Sequence, residues 1–197
     1  MNERLNRDFY DRPTLDVAPE MLGKVLVHRV GDVELAGRIM EVEAYLGPED
    51  LASHAARKTS KRARLMFGPS GIVYVYLVYG MHHCLNFVTD REGTAGAVLV
   101  RAIEPLEGIE QMRRNRGTTV SDRNLANGPG KLSQAMGIEM AHNGIDGCGD
   151  QLWVEDRGHK TSRLHQTPRI GVDYAGAWAD KPWRFAVAGP TPRPGTD

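Results

Sequence analysis

Residues 73–87 read VYVYLVYGMHHCLNF, and no other stretch limits the possible folds as tightly. β-Branched and aromatic residues crowd its first half, a composition that suits a pleated strand better than a helix. Gly80 interrupts the run, so VYVYLVY and HHCLNFV read as the two arms of a β-hairpin. Three of the six tyrosines, Tyr74, Tyr76 and Tyr79, fall within six residues here. Tyr74 and Tyr76 share a strand face, whereas Tyr79 stands at the strand end beside the turn. A tyrosine carried on a turn protrudes, and a protruding aromatic needs a partner. It could fold back onto the sheet, or it could enter a base stack as a wedge.

The rest of the chain adds strands and a few helices to this pair. APEMLG predicts a short helix ending at Gly23, followed by a strand over 25–30. ELAGRIMEVEAYL and AGAVLVRAIE predict two more strands. PLEGIEQMRRNRG predicts a helix with Pro105 at its start, Leu106, Ile109 and Met112 on one face, and Gly117 as its stop. GPGKLSQAMGI predicts a short helix whose N-terminus carries Lys131, and short strands are expected over 152–154, 169–172 and 183–187. Hairpins with scattered helices, and no regular strand–helix–strand alternation, place the chain in the α+β class. A length of 197 residues suits one domain, with 1–7 and 189–197 frayed at the ends.

Lysine plus arginine and aspartate plus glutamate balance at 25 each, so only the distribution of charge can point to a partner. RKTSKRAR (57–64) holds Arg57, Lys58, Lys61, Arg62 and Arg64 without an acid, and QMRRNRG (111–117) adds Arg113, Arg114 and Arg116. Such clusters are solvated surface or an anion-binding face. Two cysteines, Cys84 and Cys148, make neither a disulfide framework nor a metal-type spacing. The polar start MNERLNRDFY is no signal peptide and no apolar run could span a bilayer, which predicts a cytoplasmic protein, at the nucleoid if bacterial.

GRIMEVEAYLG carries the first candidate chemistry. Strict alternation puts Met40, Val42, Ala44 and Leu46 on an apolar face and Ile39, Glu41, Glu43 and Tyr45 on the other. Two acids and a tyrosine are either the wet side of a half-buried sheet or a general base near the following His54. Glu41 and Glu43 sit side by side on one strand, which does not suit a two-carboxylate glycosidase, whose acids flank the scissile bond. Arg101 lies inside an apolar strand and needs an anion, and Glu43 or Glu41 would serve. NGPGKLSQAM lacks the Walker pattern, yet Lys131 at a helix N-terminus can hold one phosphate. Adjacent His82 and His83 point to opposite faces, a poor metal site.

EVEAYLGPEDLASH, VYVYLVYGMHHCLNF, AVLVRAIEPLEG and GPGKLSQAMGI, in that order, resemble the alkyladenine (3-methyladenine) DNA glycosylase family. The similarity runs from FYDRPTLDVAPEMLGKVLV to RIGVDYAGAWADKPWRF, nearly the whole chain. The resemblance implies a compact α+β domain, with a curved, mainly antiparallel sheet, flanking helices and a protruding hairpin. It implies a monomer that needs no metal or other cofactor and acts on double-stranded DNA containing alkylated purines. The lesion is flipped out and its N-glycosyl bond hydrolysed, leaving an abasic site for base excision repair. Glu43 matches the general base and Arg101 an arginine beside the catalytic water. Tyr45, His54 and Tyr76 match the base-stacking pocket, and Asn86 the asparagine set against guanine's exocyclic amine. Tyr79 matches the residue that replaces the extruded nucleotide, followed by Met81. Arg57, Lys58, Lys61, Arg62, Arg64 and Lys131 would hold phosphates. His82 and His83 depart from the family, where aromatics are frequent. The rival readings are a non-catalytic binder of damaged nucleic acid and a small-molecule hydrolase using Glu43 and His54.

Overall fold

The structure, a computed structural model, describes residues 2–56, 61–161 and 163–187, the side chains of Lys61 and Arg62 excepted. In chain order the elements are β1 (Glu3–Arg4), α1 (Arg7–Tyr10), α2 (Thr14–Met21), β2 (Val25–Val30), β3 (Val33–Tyr45), α3 (Lys61–Met66), β4 (Val73–Val78), β5 (His82–Val88), β6 (Ala97–Glu107), α4 (Ile109–Arg116), α5 (Pro129–Met136), β7 (Leu152–Asp156), β8 (Leu164–Thr167) and β9 (Arg184–Val187). Among the described residues every strand pairing is antiparallel. The sheet runs β1-β7-β2-β3-β6-β5-β4, with β9 joined to β3 and β8 to β9. This is the α+β architecture the sequence predicts, with α2, α4 and α5 laid on the sheet. Met21, Met112 and Leu132 from those helices meet Leu26, Val42 and Val100 in one buried core. Each such side chain contributes about 1.5–3 kcal/mol by leaving water. Among the described residues no helix is long and apolar enough to cross a membrane.

Strand β3 organises the sheet. β2 lies along its first half, β6 lines the opposite edge from Ala36 to Tyr45, and β9 takes the place of β2 beside Glu41, Val42 and Glu43. The two acids therefore sit where a strand is paired on both sides, with neither edge open to solvent.

The alternation expected along GRIMEVEAYLG breaks at this point. Ile39 does not share a face with Glu41 and Glu43; it lies fully buried in the main core with Val42 and Ala44. Two bulges explain the switch. Met40 is the extra residue of β3 between the pairs Ile39↔Ile103 and Glu41↔Ala102. Arg101 is the extra residue of β6 before Val42↔Val100. An inserted residue exchanges the faces of everything after it. Both strands are shifted by one, so the pairing resumes in its former register.

Two other expectations are corrected. Pro105 does not open a helix: β6 runs through it to Glu107, and α4 begins only after Gly108, at a φ of 69°. Proline is tolerated there because β5 pairs with β6 only along Leu99, Val98 and Ala97, leaving no partner on that edge to need the missing N–H. Leu106 accordingly packs with Val25, Val27, Ala36 and Trp153, not on a helix face. The strand expected over 169–172 is absent; β8 ends at Thr167, before Pro168, and Arg169 turns inward to a buried partner described below. At the N-terminus β1 pairs with β7 and Leu5 joins the core. The C-terminal residues 188–197 lie outside the described ones.

Candidate active site

Hairpin β4–β5, strand β6, the end of β3 and the segments around 52–54 and 170–174 enclose a cavity of about 290 Å³. Alternation on β4 brings Tyr74 and Tyr76 to its wall, with ring centroids 5.4 Å apart. The His54 ring meets Tyr76 edge-on at 4.6 Å, and its Nδ1 lies 2.7 Å from the Tyr74 hydroxyl. Tyr45, from the end of β3, is a further aromatic in the lining. Burial raises the Tyr45 hydroxyl well above its usual range, helped by the nearby Glu43 charge. Burial likewise raises Tyr76. Both phenols therefore stay protonated and act as donors at neutral pH. Asn86 lies opposite Tyr74 and is buried; its Nδ2 donates to the carbonyls of Tyr74 at 3.0 Å and Cys84 at 3.3 Å.

Glu43 is fully buried and stands one layer behind this wall. The Tyr45 hydroxyl donates to Oε2 at 2.8 Å, the Ile170 amide donates to Oε1 at 2.8 Å, and Arg101 Nη1 lies 3.2 Å from Oε2. Each of these three residues lines the cavity, whereas Glu43 itself does not. Donors on both oxygens and a guanidinium suit an ionised, acceptor-only carboxylate. Arg101 also donates through Nε to Glu41 at 2.8 Å, and Arg184 reaches the same oxygen at 3.0 Å. The buried arginine thus holds both candidate acids, and Glu41 is taken up by two guanidinium groups. An electron-rich cavity with a desolvated carboxylate at its back can bind a flat, electron-poor ring and take up a proton beside it.

The other predicted residues are placed as follows. Tyr79 lines the cavity yet is 89% exposed, and Met81, 70% exposed, lies next to it on the turn, outside the lining. Arg64 is exposed on α3 and Lys131 is exposed on α5. Arg57 and Lys58 lie outside the described residues, as do the side chains of Lys61 and Arg62.

Sequence reasoning missed Arg169 and Asp50. Both are fully buried, joined by Arg169 Nη1 to Asp50 Oδ2 at 2.6 Å and Nη2 to Oδ1 at 2.9 Å. Arg169 also donates to the carbonyls of Ala44 and Trp178, and stacks 4.7 Å from the Tyr45 ring centroid and 5.0 Å from that of Trp183. Asp50 accepts from the amides of Leu46 and Ala52. One ion pair therefore ties the segment leading to His54 to the segment whose Ile170 amide holds Glu43. The aspartate at the end of LGPED was the available signal, as a turn-capping residue. Asp50→Ala would leave a buried guanidinium unpaired, and the expected loss is about 3–5 kcal/mol of stability, read from denaturant midpoints. A loss below about 1 kcal/mol would show that the pair is not what holds these segments.

The methylpurine-DNA glycosylase family model matches residues 8–191. The chain is 48% identical to a relative in Alkaliphilus oremlandii, across 93% of this chain and 95% of the relative. It is 50% identical to one in an Anaeromyxobacter species, across 94% and 90%, and 51% identical to one in Methanocella arvoryzae, across 92% and 90%. Each of the three is named "Putative 3-methyladenine DNA glycosylase".

Proposed function

The chain belongs to the methylpurine-DNA glycosylase family and is a DNA glycosylase, a hydrolase of N-glycosyl bonds, and on that premise we propose that it removes alkylated purines flipped out of duplex DNA. The observation that carries this reading is the cavity walled by Tyr45, Tyr76 and His54 directly in front of the buried Glu43 carboxylate. Reacting atoms of a base are enclosed by the stack, so the nucleotide must leave the duplex first. Tyr79 fills the gap it leaves, with Met81 beside it, and Arg64 and Lys131 hold backbone phosphates.

An alkylated purine of the 3-methyladenine or 7-methylguanine type carries positive charge. Stacking and cation–π attraction in the aromatic cavity favour it by about 1–2 kcal/mol over its neutral parent. Glu43 lies buried behind Tyr45 and Arg101, so the attacking water gains its Oε2 by displacing one of these two partners. As the N-glycosyl bond breaks, its electron pair leaves with the base and the sugar becomes oxocarbenium-like. Glu43 steadies that charge and takes a proton from the water as the new C–O bond forms. A cationic base is already a good leaving group, so one carboxylate suffices. Asn86 sets the wall against which the purine's exocyclic groups are judged.

The test is release of free bases from methylated duplex DNA, separated and identified by chromatography. Wild-type protein is expected to release methylated purines; release of none would overturn the proposal. Tyr76→Ala is expected to lower the preference for methylated over normal purines by about 10-fold, the equivalent of one aromatic contact of about 1–2 kcal/mol. An unaltered preference would remove Tyr76 from the recognition surface.

A further inference from the structure

Strand β4 carries Tyr74 and Tyr76, yet β5 pairs with only one of its edges. A loop, residues 143–147, closes the other. In an antiparallel strand successive residues direct their backbone groups to opposite edges, so Val73 and Val75 face this loop while the tyrosines bond to β5. The Val73 amide donates to the Ile145 carbonyl at 2.9 Å, and the Gly144 amide donates to the Val73 carbonyl at 2.8 Å. Two residues on, the same edge bonds to a side chain instead. The Val75 amide, between the two tyrosines, donates to Asn143 Oδ1 at 2.9 Å. Among the described residues this is the last hydrogen bond on that edge before the turn at Tyr79 and Gly80.

The loop is fixed without help from this bond. His142, just before it, is buried; its Nδ1 accepts from the Glu139 amide at 3.1 Å, and its ring meets that of His28 edge-on at 4.6 Å. At the far end Asp146 pairs with Arg7 at 2.8 Å, and the Gly147 amide donates to the Gly71 carbonyl at 2.9 Å. Asn143 therefore offers an acceptor from an anchored loop, and what it holds is β4. A strand bonded on both edges keeps its pleat, and the pleat is what turns both tyrosine rings to the cavity wall. Glu43 stands outside this arrangement. Its partners Tyr45, Ile170 and Arg101 come from β3, from the segment after β8 and from β6. Recognition and bond cleavage thus rest on different supports.

We propose that Asn143 is a positioning residue for damaged-base binding, acting through Val75 to keep Tyr74 and Tyr76 on the cavity wall. The inference rests on the glycosylase reading and gives Asn143 a share in binding, not in bond cleavage. A site formed for only a fraction of the time binds more weakly by that fraction, while its chemistry once filled is unchanged. Single-turnover rates on a duplex bearing one 7-methylguanine, measured across protein concentrations below the variant's Tm, separate the two. Asn143→Ala is expected to raise the half-saturating concentration by about 2–10-fold, the worth of one hydrogen bond, and to keep the maximal rate within about twofold of wild type. Asn143→Asp keeps an oxygen acceptor and should restore half-saturation. A bond that serves only the fold would lower Tm without moving half-saturation, and that result would overturn the proposal. So would an aspartate variant as impaired as the alanine one. Should Asn143→Ala fail to fold, Asn143→Ser, polar but with a shorter reach, reads the same bond. Wild-type protein that releases no base would overturn the glycosylase reading and this role together; normal release with half-saturation unmoved in the variant overturns the role alone.

Discussion

Glu43→Gln is expected to lower single-turnover release of methylated purines by about 10²–10⁴-fold, the range that a positioned general base supplies. Binding of the same duplex should be largely retained. The two expectations separate because Glu43 does not line the base cavity, so exchanging its oxygen for an amide leaves the stacking surface in place. What changes is the chemistry behind that surface. A glutamine cannot take the proton of the attacking water or steady a cationic sugar. Its amide would also confront donors, since Tyr45 and Ile170 both direct hydrogen-bond hydrogens at the present carboxylate. Arg101 keeps Glu41 as a partner at 2.8 Å, so the guanidinium is not stranded when Glu43 loses its charge. The fold should therefore survive, and retained DNA binding verifies that it has. Turnover equal to wild type would overturn the assignment of Glu43 as the base.

The parts of this site that were legible in the sequence are those written in local pattern. Alternation along VYVYLVY placed Tyr74 and Tyr76 together, and Gly80 located the turn. Arg101 in an apolar strand announced a buried anion, and both acids of EVE were found at its guanidinium. The parts that were not legible depend on two strands or two distant segments at once. Ile39 reads as a neighbour of the acids because nothing within β3 reveals a bulge; Met40 becomes the extra residue only through its pairing with β6. Pro105 reads as a helix start because its tolerance within β6 depends on where β5 stops pairing. Arg169 and Asp50 are 119 residues apart, and a charge buried by such a partner looks in sequence like any exposed charge. The same limit hid the position of Glu43, one layer behind the wall formed by Tyr45 and Arg101.

Tyr79→Asn should make the protein more stable and less able to do its work. Tyr79 and Gly80 occupy the centre of the hairpin turn at φ values of 51° and 70°, and the Met81 amide closes the turn on the Val78 carbonyl at 3.1 Å. Positive φ at both central residues is the demand of a type I′ turn, for which asparagine followed by glycine is the favoured pair. A bulky aromatic in the left-handed region is an outlier that costs about 1–3 kcal/mol. Tyr79 is 89% exposed, so packing recovers little of this. Asparagine tolerates that conformation, so about 1 kcal/mol should return, raising Tm by about 2–4 °C at this chain length. Without the ring, nothing offsets the unstacking of the extruded nucleotide, which amounts to a few kcal/mol. Affinity for lesion-bearing duplex should then fall by about 10–100-fold, measured by fluorescence anisotropy. The fluorescence rise of 2-aminopurine placed at or beside the lesion, which reports extrusion, should disappear. Tyr79→Phe keeps both the ring and the strained backbone, and should match wild type in stability and affinity alike. An asparagine variant that still bound and extruded like wild type would end the wedge assignment, whatever its Tm. A rise in Tm with loss of extrusion would instead mean that the turn carries its strain for the sake of the ring it presents.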